Sequence, residues 1–180
     1  SWSRLSPKVA LLYDFSSKYS AYLSFGSGFN PPKLDDLVRS GKISKGFKLA
    51  NPELEPEWVN TYEAGATLKP VKGLTIALAG YYTTGDDFQY FVATGDSLED
   101  AGNQRPILQR ENISKVDILG AEIDLRYRLL GKHDIFLNAA YNDSRIKEFK
   151  GDPDINKDLT GKYLIEVPAF LMNGGLNFYH

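Results

Sequence analysis

The chain has 180 residues, no cysteine and a formal net charge of −2. This charge provides no basic surface for nucleic acid, and the lack of cysteine excludes disulfides and cysteine-based zinc sites. Hydrophobic residues make up 42% of the chain but are scattered, so no run approaches the roughly 20 apolar residues of a membrane-spanning helix. Aromatic residues reach 13%, which suits either a β-rich core or aromatic belts at a membrane interface.

Apolar and polar residues alternate with a period of two along most of the chain, as in β-strands, and helical periodicity is weak. The runs are about as long as the 9–11 residues that a tilted strand needs to cross a bilayer. We predict seven strands in chain order, at residues 9–15, 19–26, 59–68, 74–83, 117–129, 134–145 and 166–179.

The fifth predicted strand, residues 117–129, has the most informative alternation. One face carries Leu119, Ala121, Ile123, Leu125, Tyr127 and Leu129, and the other carries Gly120, Glu122, Asp124, Arg126 and Arg128. Such a strand suits a soluble sheet with one solvated face. It also suits a membrane barrel with lipid outside and a polar lumen inside.

The connections between the predicted strands alternate strictly between short and long. Within the long ones, Leu34, Leu37 and Val38 favour a helical turn, and residues 88–92 favour a small strand. In an up-and-down antiparallel barrel, one end would then carry only turns and the other only long loops, an asymmetry typical of outer-membrane barrels. The turns lie near residues 16, 71 and 131, and the long segments are 28–57, 85–112 and 146–162.

A proline-containing box lies where the first long segment ends. Its residues are Asn51, Pro52, Glu53, Leu54, Glu55, Pro56 and Glu57, and Tyr62, Glu63, Ala64 and Gly65 follow shortly after. The box resembles the Asn-Pro-x-Leu-x-Pro-Glu motif of TonB-dependent receptors. Pro52 and Pro56 bias their preceding residues towards extended geometry, which helps a loop re-enter a sheet in register. We therefore interpret the box as architectural.

Other stretches resemble the same family in the same order. Residues 19–36 contain Gly28-Phe29 shortly before Pro31 and resemble a family segment that has a Gly-Phe pair before a proline. Tyr81-Tyr82 followed by Asp86-Asp87-Phe88 resembles the family segment that comes next in the chain. Asn112 with Gly120 and Glu122 resembles its "N......G.E" signature, and residues 167–176 resemble its penultimate strand.

The resemblance implies an all-β fold of antiparallel up-and-down strands from a transmembrane barrel of about 22 strands, of which this chain supplies about seven. It also implies a single segment over residues 1–180, without the family's plug domain and final strand, and no signal peptide is visible at its start. We therefore expect a fragment of a longer receptor in a bacterial outer membrane. No cofactor is expected.

The implied function is binding and import of a scarce nutrient, a ferric siderophore or similar solute, and not catalysis. The implied partners are outer-membrane lipid, that solute, and the TonB complex acting through the missing plug. In this family loops contribute ligand contacts, and arginines suit anionic chelates. Candidate ligand-binding residues on the predicted long loops are Arg39, Phe47, Tyr90, Phe91, Arg105 and Arg110.

Two other classes of protein remain open at this point. A soluble lipocalin-like β-barrel would use the same strands around an apolar pocket, although Glu122, Asp124, Arg126 and Arg128 argue against one. A β-sandwich glycosidase would need two converging carboxylates, and Glu63 and Glu122 are the only strand acids to consider. No catalytic constellation is evident, and two histidines without cysteine are poor material for a metal site.

Overall fold

A computed structural model describes residues 2, 5–152, 154–164 and 167–179. The described residues form nine strands and one short helix. In chain order these are β1 (Lys8–Ser16), β2 (Tyr19–Asn30), α1 (Leu34–Val38), β3 (Gly41–Ile43), β4 (Gly46–Leu49), β5 (Glu57–Leu68), β6 (Leu74–Asp100), β7 (Asn103–Leu129), β8 (His133–Phe149) and β9 (Phe170–Asn177).

Seven of the strands form an antiparallel up-and-down sheet. Their order is β1, β2, β5, β6, β7, β8 and β9, so each strand pairs with the next long strand in the chain. Among the described residues β1 pairs only with β2, and β9 only with β8, so the sheet is open at both edges. The predicted all-β, up-and-down fold with about seven long strands is confirmed. The short β3–β4 hairpin belongs to the connection between β2 and β5, and β4 pairs with β7 in parallel.

The pairing register separates the sheet into an apolar face and a polar face. One cross-strand row on the apolar face contains Phe25, Tyr62, Tyr82 and Leu119. The adjacent row on the polar face contains Ser24, Glu63, Tyr81, Gly120 and Asn142. Large apolar side chains on the apolar face are exposed, as in Leu11 at 67% and Leu119 at 59%. A soluble domain would bury such a surface.

Aromatic residues gather near both ends of the apolar face. The exposed Tyr13, Phe15 and Tyr19 lie near the turn after β1. Nearer the other end, the half-buried rings of Phe25 and Trp58 pack on the exposed rings of Tyr62 and Phe29. At about 3.3 Å per residue, Tyr19 and Phe29 are roughly 33 Å apart along β2, or about 25 Å across a bilayer at a tilt of about 40°. This spacing matches the height of the apolar band between the aromatic girdles of membrane barrels.

The connections sort by length onto opposite ends, as predicted. At the turn end, short connections follow β1, β5 and β7, and the last contains Leu130 and Gly131 with positive φ. The opposite end, called the long-connection end below, carries residues 31–56, the tip of the β6–β7 hairpin and residues 150–169. The predicted helical turn is present there as α1.

The prediction that residues 85–112 form a long loop is wrong. The segment consists of the outer halves of β6 and β7, closed by a two-residue turn at Ala101 and Gly102, both with positive φ. Alternation fails there because a ribbon projecting beyond the apolar band is not required to present one apolar and one polar face. The register also shifts between Gly85 and Phe88 and between Ala93 and Ser97. These irregularities further obscure the period of two.

Several other predicted boundaries differ from the structure. The strands β2 and β8 each continue four residues beyond their predicted ends, to Asn30 and Phe149. The last strand begins at Phe170 and not at residue 166, which lies outside the described residues. Before β9, the chain places Leu164 against Val116 and Ile146 in a small buried cluster. The long-connection end therefore has a core of its own.

Candidate ligand-binding end of the sheet

Residues 31–56 form a strap across the outer halves of β6 and β7. β4 adds to β7 where β8 no longer pairs with it, with Phe47 opposite Ile107 and Leu49 opposite Gln109. The Gln109 side chain also donates to the carbonyl of Ala50 at 2.9 Å. The strap is therefore hydrogen-bonded to a strand that lies more than fifty residues further along the chain.

A buried lysine anchors the inside of the strap. Lys48 is only 5% exposed, and its ammonium group lies 2.5 Å from Asp35 and 3.0 Å from Asp36. Burial lowers the pKa of Lys48, but hydrogen bonds to Asp35 and Asp36 outweigh it, so the pKa is raised. The hydrogen bond from Lys48 holds the pKa of Asp35 below its ordinary value. Both groups are thus charged at neutral pH, and α1 is fixed to β4.

The same cluster extends to the β6–β7 ribbon through Asp36. Its second carboxylate oxygen lies 3.1 Å from Nε of Arg110 on β7. The Arg110 guanidinium also lies over the Phe91 ring, 4.3 Å from its centroid. A buried carboxylate is thus shared between two cations, which offsets the cost of removing charge from water.

The proline-containing box completes the strap. Leu54 and Pro56 are almost fully buried. The Asn51 amide donates to the carbonyl of Arg110 at 2.9 Å, and the Glu57 carboxylate accepts from the backbone of Gln89 at 2.9 Å. The box therefore buries its apolar members and uses its polar members to hold the strap on β6 and β7, which agrees with the architectural interpretation.

Two asparagine side chains act as backbone-like clips at this end. Asn112 accepts from the amide of Glu55 at 2.8 Å and donates to the carbonyl of the same residue at 2.8 Å. Asn156 makes the same pair of bonds with Ala93, at 2.8 and 3.1 Å. The side-chain amide of each asparagine thus makes the two backbone hydrogen bonds that a neighbouring strand would otherwise make.

The six candidate ligand residues converge on the long-connection end, but only Arg39 lies outside the strands. Phe47 is on β4, Tyr90 and Phe91 are on β6, and Arg105 and Arg110 are on β7. Their expected placement on long loops is therefore wrong for the four residues on β6 and β7, whereas Arg39 and Phe47 do lie in the long connection between β2 and β5.

The charges of the candidate arginines are largely matched by carboxylates. Arg105 lies 2.8 Å from Asp100, which also contacts Lys42 at 2.6 Å. The hydrogen bond from Lys42, assisted by Arg105, lowers the pKa of Asp100. Arg39 lies 3.6 Å from Asp35, and its side chain is 78% exposed, which leaves it the most accessible of the three guanidinium groups.

On the polar face, two tyrosine rings lie over two glycines. Tyr22 pairs across the sheet with Gly65 and donates to Glu63, while Tyr81 pairs with Gly120 and donates to Asn142. A Cβ at Gly120 would come within 2.2 Å of the Tyr81 ring, and one at Gly65 within 2.3 Å of Tyr22. This close approach gives a physical reason for glycine at both motif positions.

Several functional contacts had little signal in the sequence. Asp36 and Lys48 have little local pattern that indicates burial, because their burial depends on a strand far along the chain. The only usable hint for Lys48 was its position between Phe47 and Leu49. Asn156 had no comparable hint.

The structure also bears on the other functional classes. Glu63 and Glu122 lie on β5 and β7 with β6 between them, and Glu63 already accepts a hydrogen bond from Tyr22. Within the described ranges, no three histidine or acidic residues are grouped as metal ligands. The described part of the chain also contains no helix long and apolar enough to cross a bilayer.

The chain matches the family model described as TonB dependent receptor-like, beta-barrel, over residues 1–180. It belongs to the TonB-dependent receptor β-barrel family. The resemblance of the motifs to that family is thereby confirmed. A search of curated proteins finds no match to this receptor barrel.

Solved structures with the same fold include a copper transporter and two receptors. The copper transporter OprC is 19% identical with a TM-score of 0.68, and the match covers 97% of this chain and 25% of that one. The siderophore receptor PirA from Pseudomonas aeruginosa is 18% identical with a TM-score of 0.65, covering 79% and 28%. The ferric yersiniabactin uptake receptor FyuA from Yersinia pestis is 18% identical with a TM-score of 0.62, covering 95% and 22%.

These likenesses establish the fold of the receptor barrel and not its ligand, because sequence identity is low. The chain spans about a quarter of the length of the solved chains that it matches.

Proposed function

We propose that this chain is a segment of an outer-membrane receptor that binds a ferric siderophore and imports it. The observation that carries the proposal is the two-faced sheet, whose exposed apolar face suits lipid while every long connection lies at one end. In a bacterial outer membrane those connections would face outwards and the polar face would line the lumen.

The names of the structural neighbours support the substrate class. Two of the three are described as a siderophore receptor and a ferric yersiniabactin uptake receptor, and the third as a copper transporter. All three descriptions name a metal, a ferric compound or a siderophore. Transport, and not catalysis, is therefore the proposed role.

The proposed ligand contacts lie on and beside the strap. Arg39 presents an exposed guanidinium for an anionic chelate, and Phe47, Tyr90 and Phe91 provide rings on β4 and β6. Arg110 is held between Asp36 and the Phe91 ring, and Arg105 by Asp100. In this proposal Arg105 and Arg110 bind ligand by exchanging a carboxylate for the chelate.

We place residues 1–180 in one segment of a larger barrel. Energy for import would come from the TonB complex through a plug domain supplied by the rest of the receptor. The soluble lipocalin-like alternative is not favoured, because the sheet exposes its apolar face and the family match covers all 180 residues.

The proposal predicts a growth defect under iron starvation. Deleting the gene for the complete receptor should abolish growth when the cognate ferric siderophore is the only iron source, and a plasmid copy should restore it. Uptake of radiolabelled iron from a panel of ferric chelates measures the effect directly. Unchanged uptake of every chelate in the deletion strain contradicts the proposal.

A further inference from the structure

The charged residues in the three short connections at the turn end are all lysines. Residues 17–18, 69–73 and 130–132 include no acidic residue. None of their lysines forms an ion pair with any residue in the described part of the chain, and all are exposed. These lysines, the turn lysines, are Lys18, Lys69, Lys72 and Lys132.

The excess positive charge is confined to this end of the sheet. Residues 31–56 and 150–169, at the other end, together contain eight acidic and eight basic residues. The nearby arginines on β7 are already matched, since Arg126 lies 3.0 Å from Asp124 and Arg128 lies 2.8 Å from Asp134. The turn lysines are therefore the cations at this end that remain available to an external anion.

The turn lysines lie just beyond an aromatic belt of the apolar face. Tyr13 and Phe15 pack edge to face at 4.9 Å on β1, and Tyr19 follows the turn that contains Lys18. Neighbouring turns are in contact, because the amide of Lys69 donates to the carbonyl of Lys18 at 2.8 Å. Aromatic rings at the interface with lysines above them reproduce the layering of a membrane surface.

We propose that the turn lysines bind the phosphate groups of anionic phospholipids in the leaflet at the turn end. The inference rests on the membrane placement in the proposed function. The turn lysines recur in three successive turns at the same end of the sheet, next to the aromatic belt. This arrangement suits a row of lipid headgroups better than one acidic polypeptide. Each ammonium offers three donors, and clustered lysines strengthen attraction to an anionic surface.

The test compares two variants of the complete receptor with equal changes in charge. The first is K18Q/K69Q/K72Q/K132Q at the turn end. The matched control is K33Q/K45Q/K157Q/K162Q, which removes four exposed lysines without ion pairs from the other end. Each protein is reconstituted in phosphatidylcholine vesicles, and spin-labelled phosphatidylglycerol and phosphatidylcholine report the lipids in contact with it.

The natural protein and the control variant should prefer phosphatidylglycerol by about threefold at low salt, and the turn-end variant should lose that preference. Equal preference in all three proteins, or equal loss in both variants, overturns the inference. Heat-modifiable migration in gels checks insertion separately. A receptor that inserts without lipid preference refutes the lipid site alone, whereas one that fails to insert refutes the membrane placement in the proposed function.

Discussion

At the scale of single residues, the tyrosine and glycine pairs explain why the polar face needs particular side chains. Tyr81 covers the bare backbone at Gly120 and reaches Asn142 on the next strand. The pair therefore links three strands, β6, β7 and β8, by one ring and one hydrogen bond. Aromatic rings that cover glycines on a neighbouring strand also help to define strand register.

We expect Gly120→Ala in the complete receptor to lower the free energy of unfolding by about 1–3 kcal/mol, because the new methyl group displaces the Tyr81 ring. Urea unfolding in lipid-detergent micelles measures the change. Gly26→Ala is the control, since a Cβ there meets nothing within 4 Å. The cost should disappear in a Tyr81→Ala background, and a cost that persists there rules out the ring as its cause.

At the scale of structural elements, the strap behaves as part of the β6–β7 ribbon and not as a separate loop. Parallel pairing of β4 with β7, the ion pair between Asp36 and Arg110, and the Asn112 clip all join the two. The candidate ligand residues Phe47, Phe91 and Arg110 therefore lie on one connected unit. Their relative positions depend on buried contacts that no ligand needs to supply.

Lys48→Met should release the strap, because it leaves the buried Asp36 carboxylate without one of its two cations. Breaking a buried ion pair costs about 3–5 kcal/mol, so amide exchange in residues 46–51 should accelerate by about 100-fold or more. Hydrogen exchange with mass spectrometry measures this in the complete receptor.

Arg39→Ala is the matched control for this experiment, since Arg39 pairs with the same α1 turn but is exposed. Surface pairs contribute about 0–1 kcal/mol, so exchange should change little. Similar exchange rates in the two variants contradict the role given to Lys48.

At the scale of the whole molecule, the two faces of the sheet determine where charge is tolerated. Ala64 on β5 and Ala79 on β6 lie on neighbouring strands but on opposite faces. Ala64 lies between Leu23 and Gly80 on the apolar face, and Ala79 lies between Gly65 and Glu122 on the polar face. The two positions therefore test the membrane placement with the same substitution.

Ala64→Arg should destabilise the receptor in lipid vesicles by about 2–4 kcal/mol, because it places a cation near the middle of the apolar band. Ala79→Arg should have a much smaller effect, since its side chain enters a polar, acidic surrounding. Urea titration of the vesicle-inserted protein measures both. Equal costs on the two faces contradict a lipid-facing apolar side.

Much of the fold follows from local pattern. Alternation between neighbouring residues decides which side chains share a face, so the seven long strands and the turns near residues 16, 71 and 131 could be predicted. The pattern failed in residues 85–112, where a projecting ribbon does not require one apolar face. The candidate ligand residues remain a prediction, although Phe91 and Arg110 do lie together.

The sequence by itself determined the two-faced strands, the alternation of short and long connections, and the motifs that mark the family, because each depends on residues close together in the chain. Only the tertiary structure decided the strap, the burial of Lys48 between Asp35 and Asp36, and the clips at Asn112 and Asn156. The strap and the two clips join segments that are tens of residues apart in the chain, and the burial of Lys48 depends on the pairing of β4 with β7. Their burial arises only when the sheet register brings those segments together.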